Sequence, residues 1–143
     1  MKIELRQESP AALALPAVTV WCFEDDPLES GTVSVLPAET RTLLAELKES
    51  GELKGKAYER TLVHRPAGLA ASRLLVMGGG KKEKFRPFHL GRLAGAAVRY
   101  LRARGVREMA WLAGEETTAE QAQCLAEGAV MADYDSDVYR TER

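Results

Sequence analysis

The chain has 143 residues, 45% of them hydrophobic and 29% charged, with a formal net charge of −1. This is long enough for one domain with a sizeable core, and too apolar for a disordered chain. No apolar run approaches the roughly 18–20 residues of a bilayer-spanning helix, and Met1-Lys2-Ile3-Glu4-Leu5-Arg6 alternates charged with apolar residues where a signal peptide would be continuously apolar. A cytoplasmic protein is expected.

Residues 2–7 alternate, with Ile3 and Leu5 on one side, and predict a half-buried strand. Val18-Thr19-Val20-Trp21-Cys22-Phe23 is β-branched and aromatic, and predicts a buried strand that Glu24-Asp25-Asp26-Pro27 breaks. Pro37 suits a helix start, because its missing N–H would have no partner there. Leu43, Leu44 and Leu47 follow at helical spacing, and Gly51 supplies the stop. Tyr58 to His64 reads as a strand ended by Pro66, and Leu74-Leu75-Val76-Met77 as a short buried strand. Pro87 opens a helix whose Leu90, Leu93, Ala94, Ala97 and Leu101 face inward, with Gly91 and Gly95 on one face for close packing and Gly105 at its end. Glu108 to Leu112 predicts another strand, and Thr117 with Glu120 a capping box for a last helix. In that helix Leu125, Ala126, Ala129 and Val130 form an apolar stripe, after which an Asp/Tyr cluster begins a connection. The alternation of strands and helices predicts an α/β sandwich with a mixed sheet whose later strands are parallel.

The small net charge hides an asymmetry. Residues 81–107 carry nine basic groups against Glu83 alone, while residues 115–143 hold eight acids against Arg140 and Arg143. An anionic partner is one reading of this split; complementarity between neighbouring elements, or a solvated face, is the other. Arg92, Arg99 and Arg102 lie off the apolar stripe of their helix and are candidates for contact with nucleic-acid phosphates.

Local signatures of chemistry are sparse. Gly78-Gly79-Gly80-Lys81-Lys82 follows a strand and precedes a helix, as an anion-binding loop would. Its spacing is neither G-x-G-x-x-G nor G-x-x-x-x-G-K-[ST], and a tight turn out of a buried strand is the competing reading. His64 and His89 are the only histidines, with no carboxylate cluster to join them as metal ligands. Asp133, Asp135 and Asp137 resemble the opening of an EF-hand loop, but Val138 stands where the glycine is required. No G-x-S-x-G elbow is present. Cys22 and Cys124 read as reduced packing or surface thiols. No catalytic residue and no metal ligand is assigned.

Four stretches carry a family resemblance, in order along the chain. Gly51-Glu52-Leu53-Lys54-Gly55-Lys56 is similar to the turn after the first long helix in the N-terminal domain of the leucyl (cytosol) aminopeptidases. Arg73 to Phe85, with Gly78-Gly79-Gly80-Lys81-Lys82-Glu83-Lys84, is similar to that family's strand, glycine turn and Lys-Glu-Lys-Phe loop. Arg92-Leu93-Ala94-Gly95-Ala96-Ala97 resembles the next helix. Glu127-Gly128-Ala129, Ala132-Asp133-Tyr134, Asp137 and Tyr139-Arg140-Thr141 resemble the domain's final helix and its exit.

The resemblance implies a macro-domain-like three-layer fold, a mixed β-sheet flanked by helices. It implies an N-terminal domain over residues 1–132 and the start of a linker over 133–143, leading to a catalytic domain absent from this chain. The parent would be a homohexameric exopeptidase with two divalent metals (zinc, manganese or magnesium), all held in that other domain, which would be this domain's partner. The N-terminal domain would then be non-catalytic and act in assembly or in access to the active site. The alternative is a stand-alone module for an anionic ligand, either an ADP-ribose-like nucleotide at Gly78–Lys82 or nucleic acid at the basic helix. Some bacterial members of the family also bind DNA. The pI near 6.2 makes any nucleic-acid binding weak.

Overall fold

The computed structural model describes residues 9–24, 33–112, 118–124 and 126–128. The expected strand at 2–7, most of the acidic break after Phe23 and the segment 129–143 lie outside them, as does the side chain of Leu125.

Four strands form one mixed sheet: β1 (Val18–Cys22), β2 (Arg60–His64), β3 (Arg73–Gly78) and β4 (Ala110–Trp111), in the order β2-β3-β1-β4. β1 is parallel to β3 from Val18↔Leu74 to Cys22↔Gly78, and parallel to β4 on its other side. β2 is antiparallel to β3, with Leu62 opposite Leu75. β1 and β3 are buried on both faces apart from half-buried Arg73, which explains why they read as β-branched and apolar stretches rather than as alternating strands.

Alternation along the strands divides the core. Val18, Val20, Cys22, Leu74 and Val76 point to one face, where they meet Val33, Leu36 and Leu53, and Leu44 of helix α1 (Ala38–Glu49). Trp21, Leu75 and Met77 point to the other, against Leu90, Leu93, Ala97 and Leu101 of α2 (Pro87–Arg102). Each fully buried leucine contributes about 1.5–3 kcal/mol of transfer free energy, so both faces of the sheet are held chiefly by apolar burial. The two helices lie on opposite faces, and the arrangement is α/β as expected. A last helix, α3, has described residues 119–124 and 126–128.

Pro37 stands at the N-cap of α1, and Gly51 follows its end with φ +86°. Pro87 opens α2, and Gly105 follows with φ +79°. Three expectations need adjustment. β2 begins at Arg60 rather than Tyr58, because Tyr58 sits at φ +63° and cannot continue a strand. β4 is two residues long, shorter than the segment from Glu108 to Leu112. The cap of α3 is made one residue later than expected. The Thr118 N–H donates to Gln121 Oε1 (3.0 Å) and the Gln121 N–H to Thr118 Oγ1 (3.1 Å). Both frames satisfy the capping-box pattern, and sequence alone does not separate them.

Candidate interaction groove

The glycine loop lies at the end of β3, where three segments converge. The Gly78 N–H donates to the Glu59 carbonyl (2.8 Å), that of Gly79 to Cys22 (2.8 Å) and that of Gly80 to Gly55 (2.9 Å). In return, the Gly78 carbonyl accepts from Tyr58 N–H and the Gly80 carbonyl from Glu24 N–H. The amides of all three glycines are thus already bonded to carbonyls. A Cβ on Gly78 would run into the Lys56 carbonyl oxygen. The carboxylate of Glu59 fixes the facing turn, accepting from the N–H groups of Lys54 and Gly55 at 2.8 Å each. Lys81 and Lys82 are exposed at the start of a single 3₁₀ turn.

The arginines of α2 divide between two places. Arg92 and Arg99 are exposed and line a groove of about 530 Å³ between α2 and α3, whereas Arg102 lines a separate hollow with Gly105, Val106 and Arg107. Gly91, Gly95 and Ala96 also line the groove, from α2, with Cys124, Glu127 and Gly128 from α3 and the rings of Tyr58 and Phe88. The two helices meet almost backbone to backbone. A Cβ on Gly91 would lie 2.7 Å from the Cys124 carbonyl oxygen, and one on Gly128 would overlap the carbonyl of Gly91. Glycine is required at both positions for this approach.

Tyr58 and Phe88 are the large hydrophobic residues left exposed among the described residues, at 40% and 53%. Phe88 is firmly backed. A line of rings runs outward from the core: Trp21 stacks on Phe85 at 4.8 Å, Phe85 lies 5.4 Å from His89, and His89 lies 4.1 Å from Phe88. His89 is itself fixed, because its Nδ1 accepts the Arg86 N–H at 2.8 Å. The Arg92 guanidinium lies 5.2 Å from the Phe88 ring centroid, a contact of about 0.5–1 kcal/mol at an exposed site. Such a surface offers apolar contact and positive charge. No group of three or more His, Cys, Asp or Glu able to hold a metal occurs among the described residues. The described residues therefore do not fit a two-metal centre.

Sequence reading singled out Arg92 and Arg99 but missed Tyr58, Phe88, Cys124 and Glu127 as neighbours. The one available signal was the Gly91/Gly95 spacing, which announced a close helix contact without saying what would line it.

Comparison with known proteins places this domain. The model of the cytosol aminopeptidase family, N-terminal domain, matches residues 18–143. The chain belongs to the cytosol aminopeptidase family, as its N-terminal domain. A probable cytosol aminopeptidase of Acidobacterium capsulatum is 44% identical over 115 residues, covering 77% of this chain and 22% of that protein. One from a Geobacter species is 33% identical over 99% of this chain and 29% of its own length. One from Koribacter versatilis is 32% identical over 100% of this chain and 32% of its own length. The chain spans less than a third of these relatives, so the larger part of a cytosol aminopeptidase lies outside the matched stretch. No helix among the described residues is long and apolar enough to cross a membrane.

Proposed function

We propose that this chain serves as the non-catalytic N-terminal domain of a metal-dependent leucyl aminopeptidase, a cytosolic enzyme that removes N-terminal amino acids from peptides. Its own role is architectural, in the assembly of a homohexamer or in access to the active site. The observation that carries this reading is the family match over residues 18–143, together with relatives of which the chain spans 22–32%. On this reading residues 1–132 form the domain and 133–143 begin the linker. The two divalent metals and the hydrolytic chemistry belong to the following domain, and no step of the reaction is assigned to a residue here. The alternative of a free-standing anion-binding module has less support, because the amides of Gly78, Gly79 and Gly80 are all donated to carbonyls.

The test is peptidase activity. The polypeptide encoded by the whole reading frame, supplied with zinc or manganese, is expected to release leucine from a leucyl peptide, and the 143-residue chain to release none. Hydrolysis by the 143-residue chain, or a complete reading frame that encodes no activity, overturns the proposal.

A further inference from the structure

Hydrogen-bond donors and acceptors do not balance where β4 meets β1. Thr19, the second residue of β1, is completely buried. The acceptor its hydroxyl finds is the thioether of Met109, with Oγ1 and Sδ 4.0 Å apart. Sulfur is a weak acceptor, so the buried hydroxyl keeps much of its desolvation penalty. Trp111 is the partner of Thr19 across the parallel β1–β4 pair. Its Nε1 is buried and has no acceptor among the described residues. Two buried donors thus stand on neighbouring strands, served by one thioether. The backbone around Met109 is fixed, because the Ala110 N–H donates to the Ala17 carbonyl (3.1 Å) and the Leu112 N–H to that of Thr19 (2.9 Å). Met109 is itself half-buried against the α2-side cluster, in contact with Thr19 and partly open to solvent. Met77 of the same cluster is fully buried.

We propose that Met109 is a site of reversible oxidation by peroxide, and that Thr19 receives the resulting sulfoxide. One peroxide oxygen bonds to the Sδ lone pair as the O–O bond breaks. The thioether loses two electrons, and the other oxygen leaves with both peroxide protons as water. Reversal takes a sulfoxide reductase, which oxidises two thiols to a disulfide and releases the oxygen as water. Sulfoxide formation ordinarily disrupts a core, because a flexible apolar side chain becomes polar and chiral. Here the new oxygen meets a donor that the reduced form bonds poorly. Aimed at Thr19, it closes the 4.0 Å gap to an O–H···O bond of about 2.5–3.0 Å. The oxidised sulfur is a stereocentre, and one of its two epimers turns the oxygen to Thr19 while the methyl group stays in the apolar cluster.

The test treats the chain with hydrogen peroxide and follows its four methionines by peptide mass spectrometry. Met109 is expected to oxidise at least about tenfold faster than Met77. The oxidised chain is then digested, and the Met109 peptide is offered separately to the two epimer-specific methionine sulfoxide reductases. One enzyme is expected to clear the sulfoxide and the other to leave it. Removal of about half by each shows that no epimer is preferred, and overturns the proposal. Thr19→Val supplies a second readout. It keeps the shape of the side chain, deletes the donor and suits a buried strand, so the variant folds. Oxidation is expected to leave the urea midpoint of the unaltered chain in place or raise it, and to lower that of Thr19→Val. The other methionines are common to both proteins, so the difference belongs to the pair of Thr19 and Met109. Equal oxidation of Met77 and Met109, or the same midpoint change in both proteins, also overturns the proposal.

Discussion

Two glycine-rich regions of this domain invite the same interpretation and differ in what they can do. At Gly78–Gly80 the absent side chains let three stretches of backbone converge, and every amide is consumed in joining them. At Gly91 and Gly128 the absent side chains let two helices converge, and the surface beside the contact stays open, lined by aromatic rings. The loop resembles a phosphate cradle in sequence, yet its donors face inward to carbonyls. The helix pair shows in sequence only a spacing suited to close packing, yet it borders the exposed apolar surface. A glycine cluster therefore reports close approach. Whether it also reports a ligand depends on where the neighbouring N–H groups go.

The contrast is broken most severely at Gly78. Gly78→Ala places a methyl group on the Lys56 carbonyl with backbone on both sides, and is expected to destabilise the domain by about 3 kcal/mol or more. The shift appears as a lower urea midpoint. A wild-type midpoint would mean that the junction is looser than described. Gly91→Ala should be milder. Its methyl meets one carbonyl oxygen of α3 at 2.7 Å, an overpacking of about 1–3 kcal/mol set against about 1 kcal/mol gained in helix propensity. A net loss of about 1 kcal/mol is expected, with the Cys124 thiol reacting faster as α3 is pushed away. An increase in stability would show that α3 does not lie against Gly91. The smallest effect belongs to the loop lysines. Lys81→Gln and Lys82→Gln should each change stability by less than about 0.5 kcal/mol, because both side chains are exposed. Titration of the unaltered chain with inorganic phosphate should leave the amide resonances of residues 78–82 in place. Saturable movement there would restore the loop as an anion site.

Elements whose burial is uniform were legible in the sequence. β1 and β3 are covered on both faces, so the apolar signal is continuous over Leu74–Met77 and broken in β1 only by the β-branched Thr19. α2 announces itself by Pro87, its stripe of leucines and alanines, and Gly105. Legibility failed where a distant contact decides a local conformation. Tyr58 reads as the first residue of a strand, whereas it sits in the left-handed region with its N–H bonded to the Gly78 carbonyl, a contact twenty residues away in sequence. The cap of α3 was read at Thr117 because neighbouring frames are chemically equivalent, and the bonds of Thr118 and Gln121 decide between them. The groove was illegible for a related reason. Tyr58 precedes β2, Phe88 belongs to α2 and Cys124 to α3, and no local pattern encodes their meeting. Arg92 and Arg99 announce themselves by their charge, whereas the exposed aromatic rings that share the groove leave no periodic signature.

The strand order has a consequence for synthesis. β1 lies between β3 and β4, and its partner on one side is Ala110–Trp111, near the far end of the described chain. As the polypeptide leaves the ribosome, Val18–Cys22 can pair with β3 once residue 78 has emerged, but its opposite edge stays bare until α2 has crossed the sheet. During that interval a strand with Thr19 as its one polar residue presents unpaired N–H and C=O groups. This is the stage at which the nascent domain is most exposed to intermolecular strand pairing, and the one at which a chaperone has most to shield.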